Sequence, residues 1–341
     1  MDVGVIVYVT IGAALIFDVI NGFHDAANSI ATIVSTRVLS PRQAVMWAAT
    51  FNFVALFIFH TGVARTIAGV IHVEAHDPAF TYVVMSGLIG AIVWNLFTWV
   101  LGLPSSSSHA LIGGLSGAGI AHGGWDVINT AKLLPVLEFI LIAPLIGLGL
   151  GMLVMILVSW IFRRVRPRKI DSGFRIGQLF SAGAYSIGHG GNDAQKTIGV
   201  IIMVLVASKV LHLDAKGELI EDIPWWIIAS SYGAMAFGTA IGGWRIVKTM
   251  GMGLTHLKPV GGFCAEVAGA VTLFTATALK VPVSTTHTIT GAIIGVGSVT
   301  NARGIRWALA ARIVWAWVLT IPLAGLVGAG VTFLVHALGA W

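Results

Sequence analysis

One cysteine, Cys264, stands in 341 residues, and a single thiol excludes an internal disulfide or a cysteine-rich metal site. Charge is almost as scarce. Asp, Glu, Lys and Arg make up 10% of the chain against 57% apolar residues, where a soluble domain carries roughly 25% charged residues. A soluble core of this size has no use for that imbalance, so lipid must be the second solvent. There is no GxxxxGK[ST] phosphate loop, which argues against ATP-driven work. Neither a GxSxG elbow nor an HExxH helix is present, and Ser107, two residues before His109, has no evident base and orienting group; a membrane enzyme is therefore disfavoured. The first apolar run lacks both a preceding basic segment and a small-residue cleavage site before Asp18. It is expected to stay as a helix rather than leave as a secretory signal.

What the chain has in abundance is apolar length. Residues 3–20, 44–59, 133–162, 225–240 and 307–338 are long apolar stretches, and a spanning helix needs ~20 such residues at ~1.5 Å each. The 42 glycines suit helices that approach closely or break inside a membrane. The expected fold class is an all-α polytopic membrane protein with roughly 10–12 membrane segments.

Lys and Arg exceed Asp and Glu by 20 to 14, a balance that suggests nucleic acid in a soluble protein. Position argues otherwise. Twelve of these cations fall in 37–42, in 163–169, and at Arg245, Lys248, Lys258, Arg303 and Arg306. The loops 72–78, 122–132 and 209–224 hold only Lys132, Lys209 and Lys216. The positive-inside rule places the first set in the cytoplasm. Threading the chain accordingly makes each half cross an odd number of times, which inverts the halves and leaves both termini outside.

The chain also repeats itself. His24-Asp25-Ala26-Ala27-Asn28-Ser29 aligns with Asn192-Asp193-Ala194-Gln195-Lys196-Thr197 at an offset of 168, and Pro104-Ser105-Ser106-Ser107-Ser108-His109 aligns with Pro282-Val283-Ser284-Thr285-Thr286-His287 at 178. Gly113 and Gly117 fall on Gly291 and Gly295. Two matches in one order, at nearly equal offsets, indicate duplication. The expected organisation is a first repeat over 1–162, a short basic cytoplasmic linker over 163–173, and a second, inverted repeat over 174–341. Inverted repeats commonly place a transport site at their interface near the midplane.

Polar or helix-breaking residues interrupt apolar segments at 21–28, 102–108, 188–193 and 281–286. Breaks are expected at all four. The pieces 88–101 and 109–121 are short for a span, so the two Pro-Ser/Thr segments are expected to be broken helices or the tips of re-entrant hairpins, tolerated where they line a cavity or pack in protein. A helix starting after such a tip offers hydroxyls and free N–H groups to an anion. Isolated membrane Ser and Thr usually bond their own helix or glue neighbours; duplication singles out Ser106, Ser107, Ser108, Ser284, Thr285 and Thr286. An ionised carboxylate in a span costs at least ~2.5 kcal/mol and is usually functional, which singles out Asp25 and Asp193. Asp18, Glu138 and Glu266 are intramembrane acids without a counterpart in the other half, so a structural pairing is open for each. His24, His189, His109 and His287 flank the motifs and read better as supporting residues than as zinc ligands.

At these residues the chain resembles the inorganic phosphate transporter (PiT) family of secondary carriers, prokaryotic low-affinity permease type. Its duplicated GANDxAN signature reads here Gly22-Phe23-His24-Asp25-Ala26-Ala27-Asn28 and Gly190-Gly191-Asn192-Asp193-Ala194-Gln195-Lys196. His24 departs from the commoner Asn, and Lys196 replaces the final Asn. The resemblance implies import of inorganic phosphate across a prokaryotic plasma membrane by symport with Na+ or H+, no further cofactor, and a homodimer. It implies phosphate binding by Asp25, Asp193 and the Ser/Thr tips.

Chemistry adds conditions. Two like charges ~4 Å apart repel by about 4 kcal/mol at an effective dielectric near 20, so an oxyanion beside two aspartates needs cations or protons to arrive with it. Asp25, Asn28, Asn192 and Asp193, with carbonyls of broken helices, make a hard-oxygen set for Na+; the same acids could take protons. Lys196 offers a fixed positive charge to phosphate or an ion pair to Asp193. A protonated phosphate can donate to a carboxylate and sulfate cannot, which favours phosphate. The alternatives are a sulfate or other oxyanion symporter on the same scaffold, and an anion channel. Alternating access by rocking or an elevator motion, with the two tips closing the site in turn, is the expected mechanism.

Overall fold

The protein is described here from a computed structural model covering residues 3–72, 79–214 and 219–339; Met1, Asp2, Lys216 and most of the loop 72–78 fall outside the described residues. Among those described, twelve α-helices follow one another and no strand is formed. They are α1 (Val3–Ser35), α2 (Pro41–Val54), α3 (Gly62–Ala68), α4 (Ala79–Leu101), α5 (Ser107–Gly123), α6 (Thr130–Ile161), α7 (Pro167–Ala207), α8 (Trp225–Ile241), α9 (Trp244–Val247), α10 (Pro259–Ala278), α11 (Thr285–Asn301) and α12 (Trp307–Ala337). Pro41, Pro167 and Pro259 open α2, α7 and α10, where the missing N–H costs nothing. Among the described residues, five helices, α1, α4, α6, α10 and α12, are each long and apolar enough to cross a membrane, and α2 with α3, bent by 88° at their break, together have that length and composition as a broken span or a re-entrant loop. Their apolar side chains, such as Leu141, Leu145 and Trp160 on α6 and Trp315, Leu326 and Phe333 on α12, stand exposed. On a membrane protein that surface faces lipid.

The two halves carry the same irregularities at matching positions. Left-handed backbone occurs at Arg37 and Lys209, just past α1 and α7, and at Gly102 and Lys280, just past α4 and α10. Ser106 and Ser284 cap α5 and α11, each accepting from the N–H of the His three residues on. Pro144 in α6 and Pro322 in α12 both sit inside their helices. The fold is thus the inverted, helical repeat that the duplicated motifs lead one to expect.

Each half completes the other. A Cβ at Gly113 of α5 would stand 2.5 Å from the carbonyl oxygen of Ile321 in α12. One at Gly151 of α6 would stand 2.5 Å from that of Ala292 in α11. Such helices touch backbone to backbone, which only small residues allow. The last helix of each repeat therefore packs against the hairpin of the opposite repeat.

Two expected breaks are absent. α1 runs unbroken through 21–28, and α7 through 188–193. Polar side chains do not break a helix when each finds a partner, and His24, Asp25, His189, Asn192 and Asp193 all do. Broken-helix carbonyls are consequently not on offer beside the aspartates. The piece 88–101 is the second half of α4, whose 23 residues are long enough to span. The other two breaks are present, at Gly102–Ser106 between α4 and α5 and at Leu279–Ser284 between α10 and α11.

Candidate functional site

The two hairpin tips meet. Ser108 Oγ donates to the Val283 carbonyl at 3.1 Å, and Thr286 Oγ1 donates to the Ser105 carbonyl at 3.1 Å. The equivalent rings of His109 and His287 lie edge to face, 4.7 Å between centroids. Equivalent residues of a repeat can touch only beside the axis that relates the halves, so the tips mark that axis. Ser106, Ser107, Ser108, Ser284, Thr285 and Thr286 are all 2% exposed or less.

The long helices α1 and α7 bring their aspartates to the same place. Ser107 Oγ donates to Asp25 Oδ2 at 2.7 Å, and Thr285 Oγ1 donates to Asp193 Oδ2 at 3.3 Å. Each aspartate is thus held by the first residue of the helix that leaves its own tip. Behind it the residue preceding each aspartate reaches the end of the hairpin's first helix. His24 Nε2 lies 3.0 Å from Thr98 Oγ1, and Asn192 Nδ2 donates to Thr277 Oγ1 at 3.1 Å. His24 Nδ1 lies 2.8 Å from Asp25 Oδ1. Asn192 gives its amide wholly to the hairpin: its nitrogen also donates to Val281 O, and its oxygen accepts from Val283 N.

The repeat is broken at its last position. Asn28 crosses to the opposite tip, donating to Thr285 Oγ1 at 3.2 Å and Thr286 Oγ1 at 2.9 Å. Lys196, its counterpart, pairs with Asp193 Oδ1 at 2.6 Å. Of the two roles open for Lys196, the ion pair is the one present.

Asp25, Asp193 and His189 each place a ligand-type atom within 4.8 Å of the others. His189 Nε2 lies 3.5 Å from Asp193 Oδ2, and its Nδ1 faces Asn52 Oδ1 at 3.2 Å. Two carboxylates at that separation repel by roughly 3–4 kcal/mol at a dielectric near 20, so the cluster is built to take positive charge. Of the expected hard-oxygen set, Asp25 and Asp193 are in the cluster, Asn28 sits against the second tip, and Asn192 braces the hairpin. Thr98, Thr277, Tyr185 and Asn52 were not singled out by sequence; Tyr185 OH donates to Thr285 O at 3.1 Å. Thr98 and Thr277 could have been found, because they lie one residue from exact repeat register beside the second motif pair.

Neither of the two large cavities is lined by these residues. One, about 530 Å³, opens at the end of α7 among Arg65, Lys132 and Lys280. The other, about 580 Å³, lies at the start of α7 among Arg37, Arg175 and Lys258. The cluster is closed off from both.

Comparison with known proteins agrees with this plan. A family profile described as "Phosphate transporter family" matches residues 21–171 and, a second time, residues 163–328. The chain is 52% identical over 322 residues to a probable low-affinity inorganic phosphate transporter of Rhizobium meliloti (strain 1021), covering 94% of this chain and 93% of that protein. It is 42% identical to the protein of the same description from Bacillus subtilis (strain 168), with 95% of both chains covered. Among solved structures, "the sodium-dependent phosphate transporter" superposes with a TM-score of 0.89 at 22% identity, over 98% of this chain and 99% of that one. That likeness concerns the fold. The relatives are transporters, and this chain is no enzyme.

Proposed function

The chain belongs to the phosphate transporter family, and from that premise we propose that it imports inorganic phosphate by cation symport. The reading rests above all on one observation: the hydroxyls of Ser107 and Thr285, at the starts of α5 and α11, are spent on Asp25 and Asp193. Phosphate needs those hydroxyls and the free N–H groups beside them. They turn to the anion only if the carboxylates receive a cation or proton instead. Coupling is then a matter of hydrogen-bond supply: without the cation the donors stay on the aspartates, and with it they are free.

Asp25, Asp193 and His189 hold the cation in this scheme. Na+ suits the carboxylate oxygens, whereas a proton suits His189 equally well, and the fold likeness to a sodium-dependent protein favours Na+. Lys196 keeps Asp193 partly neutralised, and Asn28 holds the second tip near the first motif. Ser106, Ser108, Ser284 and Thr286 shape the anion seat around the paired tips, and Asn192 sets the height of the second. The basic cavities at the two ends of α7 collect anions on either side. Arg37, Arg175 and Lys258 mark the cytoplasmic face by the positive-inside rule, which puts both termini outside the plasma membrane. The domain division at 163–173 and pairing into a homodimer belong to this reading and enter no step of it.

Phosphate uptake into proteoliposomes, with Na+ and pH gradients imposed separately, tests the proposal. Wild type should accumulate phosphate uphill under one gradient, and unlabelled sulfate should compete poorly. Asp25→Asn and Asp193→Asn should each lower uptake at least tenfold. Full activity in both variants refutes the site. Downhill flux without accumulation refutes symport in favour of a channel.

A further inference from the structure

Gly62, which opens α3, and Gly69, which caps its far end, give up a side chain to make room. Neither has left-handed backbone, so conformational freedom is not what they supply. A Cβ at Gly62 would stand 2.7 Å from Cγ of Lys280, and one at Gly69 would stand 2.6 Å from Nζ of Lys132. Lys280 comes from the second hairpin tip and Lys132 from the first turn of α6. Both stems therefore lie along α3. Arg65 falls between the two glycines, three residues after one and four before the other, which puts it on the same face. Further contacts fix the set. Lys132 Nζ lies 3.5 Å from the Arg65 carbonyl oxygen, and Thr66 Oγ1 donates to the Lys280 carbonyl at 2.8 Å. Three cations from distant parts of the chain are thus drawn to one strip of helix about 10 Å long.

All three line the cavity of about 530 Å³ at the end of α7, which has room for an oxyanion and several waters. Among the described residues none of the three makes an ion pair, and no described carboxylate lines the cavity. Arg65 and Lys280 are exposed and Lys132 is half-buried, so water and small ions reach them. Like charges gathered without a counter-ion repel. An arginine fork beside two ammoniums suits a tetrahedral oxyanion, whose several oxygens can each take a donor.

Lys280 carries a further sign. Its φ is 61°, and the matching turn of the first tip has Gly102 with φ 65°. Glycine is the easier residue in left-handed backbone, and Gly102 lines neither cavity. The tip that does reach a cavity keeps a cationic side chain in spite of the strain. Lys280 also stands five residues before Thr285, whose hydroxyl holds Asp193. α3 in turn is tied to α7 by Gln195, two residues after Asp193, whose Oε1 accepts from Val63 N at 2.9 Å. An anion on these cations joins the second tip, α3 and α6 into one piece.

We propose that Arg65, Lys132 and Lys280 form an oxyanion site in this outer cavity, apart from the Asp25–Asp193 cluster, that takes a tetrahedral dianion, phosphate or sulfate alike. Its charged groups are all donors, so the charge of the anion decides and a proton on it does not count. A seat beside aspartates discriminates where this site does not. The proposal deepens the transport reading, on which it rests for the cavity facing outward, but binding of the anion needs no transport.

The test is sulfate binding to the purified, phosphate-free protein without Na+, read as retained radiolabelled sulfate and as the sulfate-dependent rise in melting temperature. Lys132→Gln and Lys280→Gly should each raise the sulfate concentration for half-effect about tenfold, the loss of one charged donor. Lys280→Gly also relieves the left-handed turn and so serves if Lys132→Gln does not fold. Lys209→Gln, which removes a charge outside the cavity lining, should change nothing. Unchanged affinity in the first two variants, or no sulfate binding by the wild type, overturns the site. Equal weakening by all three variants shows a diffuse potential and overturns it as well. A rise in melting temperature given by anionic phospholipid but not by sulfate, and lost in Lys132→Gln, assigns the cavity to a lipid headgroup and overturns the free-ion site. Phosphate uptake is scored separately: a wild type that accumulates phosphate but binds no sulfate loses this inference alone. A wild type that binds sulfate through Lys132 but accumulates nothing loses the transport reading alone.

Discussion

Glu266 on α10 is as buried as Asp18, and it accepts from Thr32 Oγ1 at 2.6 Å, from Gln178 Nε2 at 2.9 Å and from Ser181 Oγ. A carboxylate with three donors is satisfied within the protein and ties α1, α7 and α10 together. Replacing it by Leu orphans those donors. The two hydroxyls can turn back to their own helices, so the cost is chiefly that of Gln178, about 1–3 kcal/mol. Glu266→Leu should lower the melting temperature and leave the Na+ concentration dependence of binding unchanged. A shift in that dependence would place Glu266 among the cation ligands. The sequence marked both acids as exceptional by their depth, yet could not separate them. Glu266 takes its partners from α7, 88 and 85 residues away in the chain, and from α1, 234 residues away, which no spacing in α10 reveals.

Among the elements, the hairpin tips carry the clearest trace of duplication. Gly102 and Lys280 share the same left-handed turn, with φ of 65° and 61°, and Thr249 Oγ1 and Thr66 Oγ1 donate to their carbonyls in matching fashion. A Cβ at Gly102 meets nothing closer than 3.5 Å, so its cost is conformational alone. Gly102→Ala should destabilise by about 1–2 kcal/mol. Lys280→Gly should do the reverse, gaining up to about 1 kcal/mol after the entropy of a freer chain is deducted. Thermal unfolding in detergent measures both, and equal signs would deny that the turns are equivalent. The tips were legible in the sequence because Pro, Ser and Thr recur there in register. The continuity of α1 and α7 was not. Runs such as Asn21 to Asn28 look like interruptions until one sees that His24 is held by Thr98 and Asp25 by Ser107.

For the molecule as a whole, closure of both tips on one another makes this an occluded arrangement, with Asp25 at 2% and Asp193 at 0% exposure. Transport requires the tips to part toward one face and then the other. Cys264 is buried and free, so cysteines introduced at Ser107 and Thr285 can be followed against a quiet background. Their accessibility to impermeant reagents should change in opposite directions when phosphate and Na+ are added. Unchanged labelling at both sites would remove the tips from the gating role. The inverted plan was legible from paired motifs and loop charge, because both are written locally. The exchange of α6 and α12 between halves was not, since glycine contacts such as Gly113 with Ile321 lie hundreds of residues apart.

That exchange bears on how the protein is made. When α6 leaves the ribosome, its partner α11 does not yet exist. At ~5–20 residues per second, α6 waits roughly 6–25 s in the bilayer with Gly147 and Gly151 turned to lipid or to the insertion machinery. A nascent chain that stalls inside the second repeat leaves an apolar seam that nothing else in the chain can cover. Such a product is marked for proteolysis by the same surface that, once matched, locks the finished transporter.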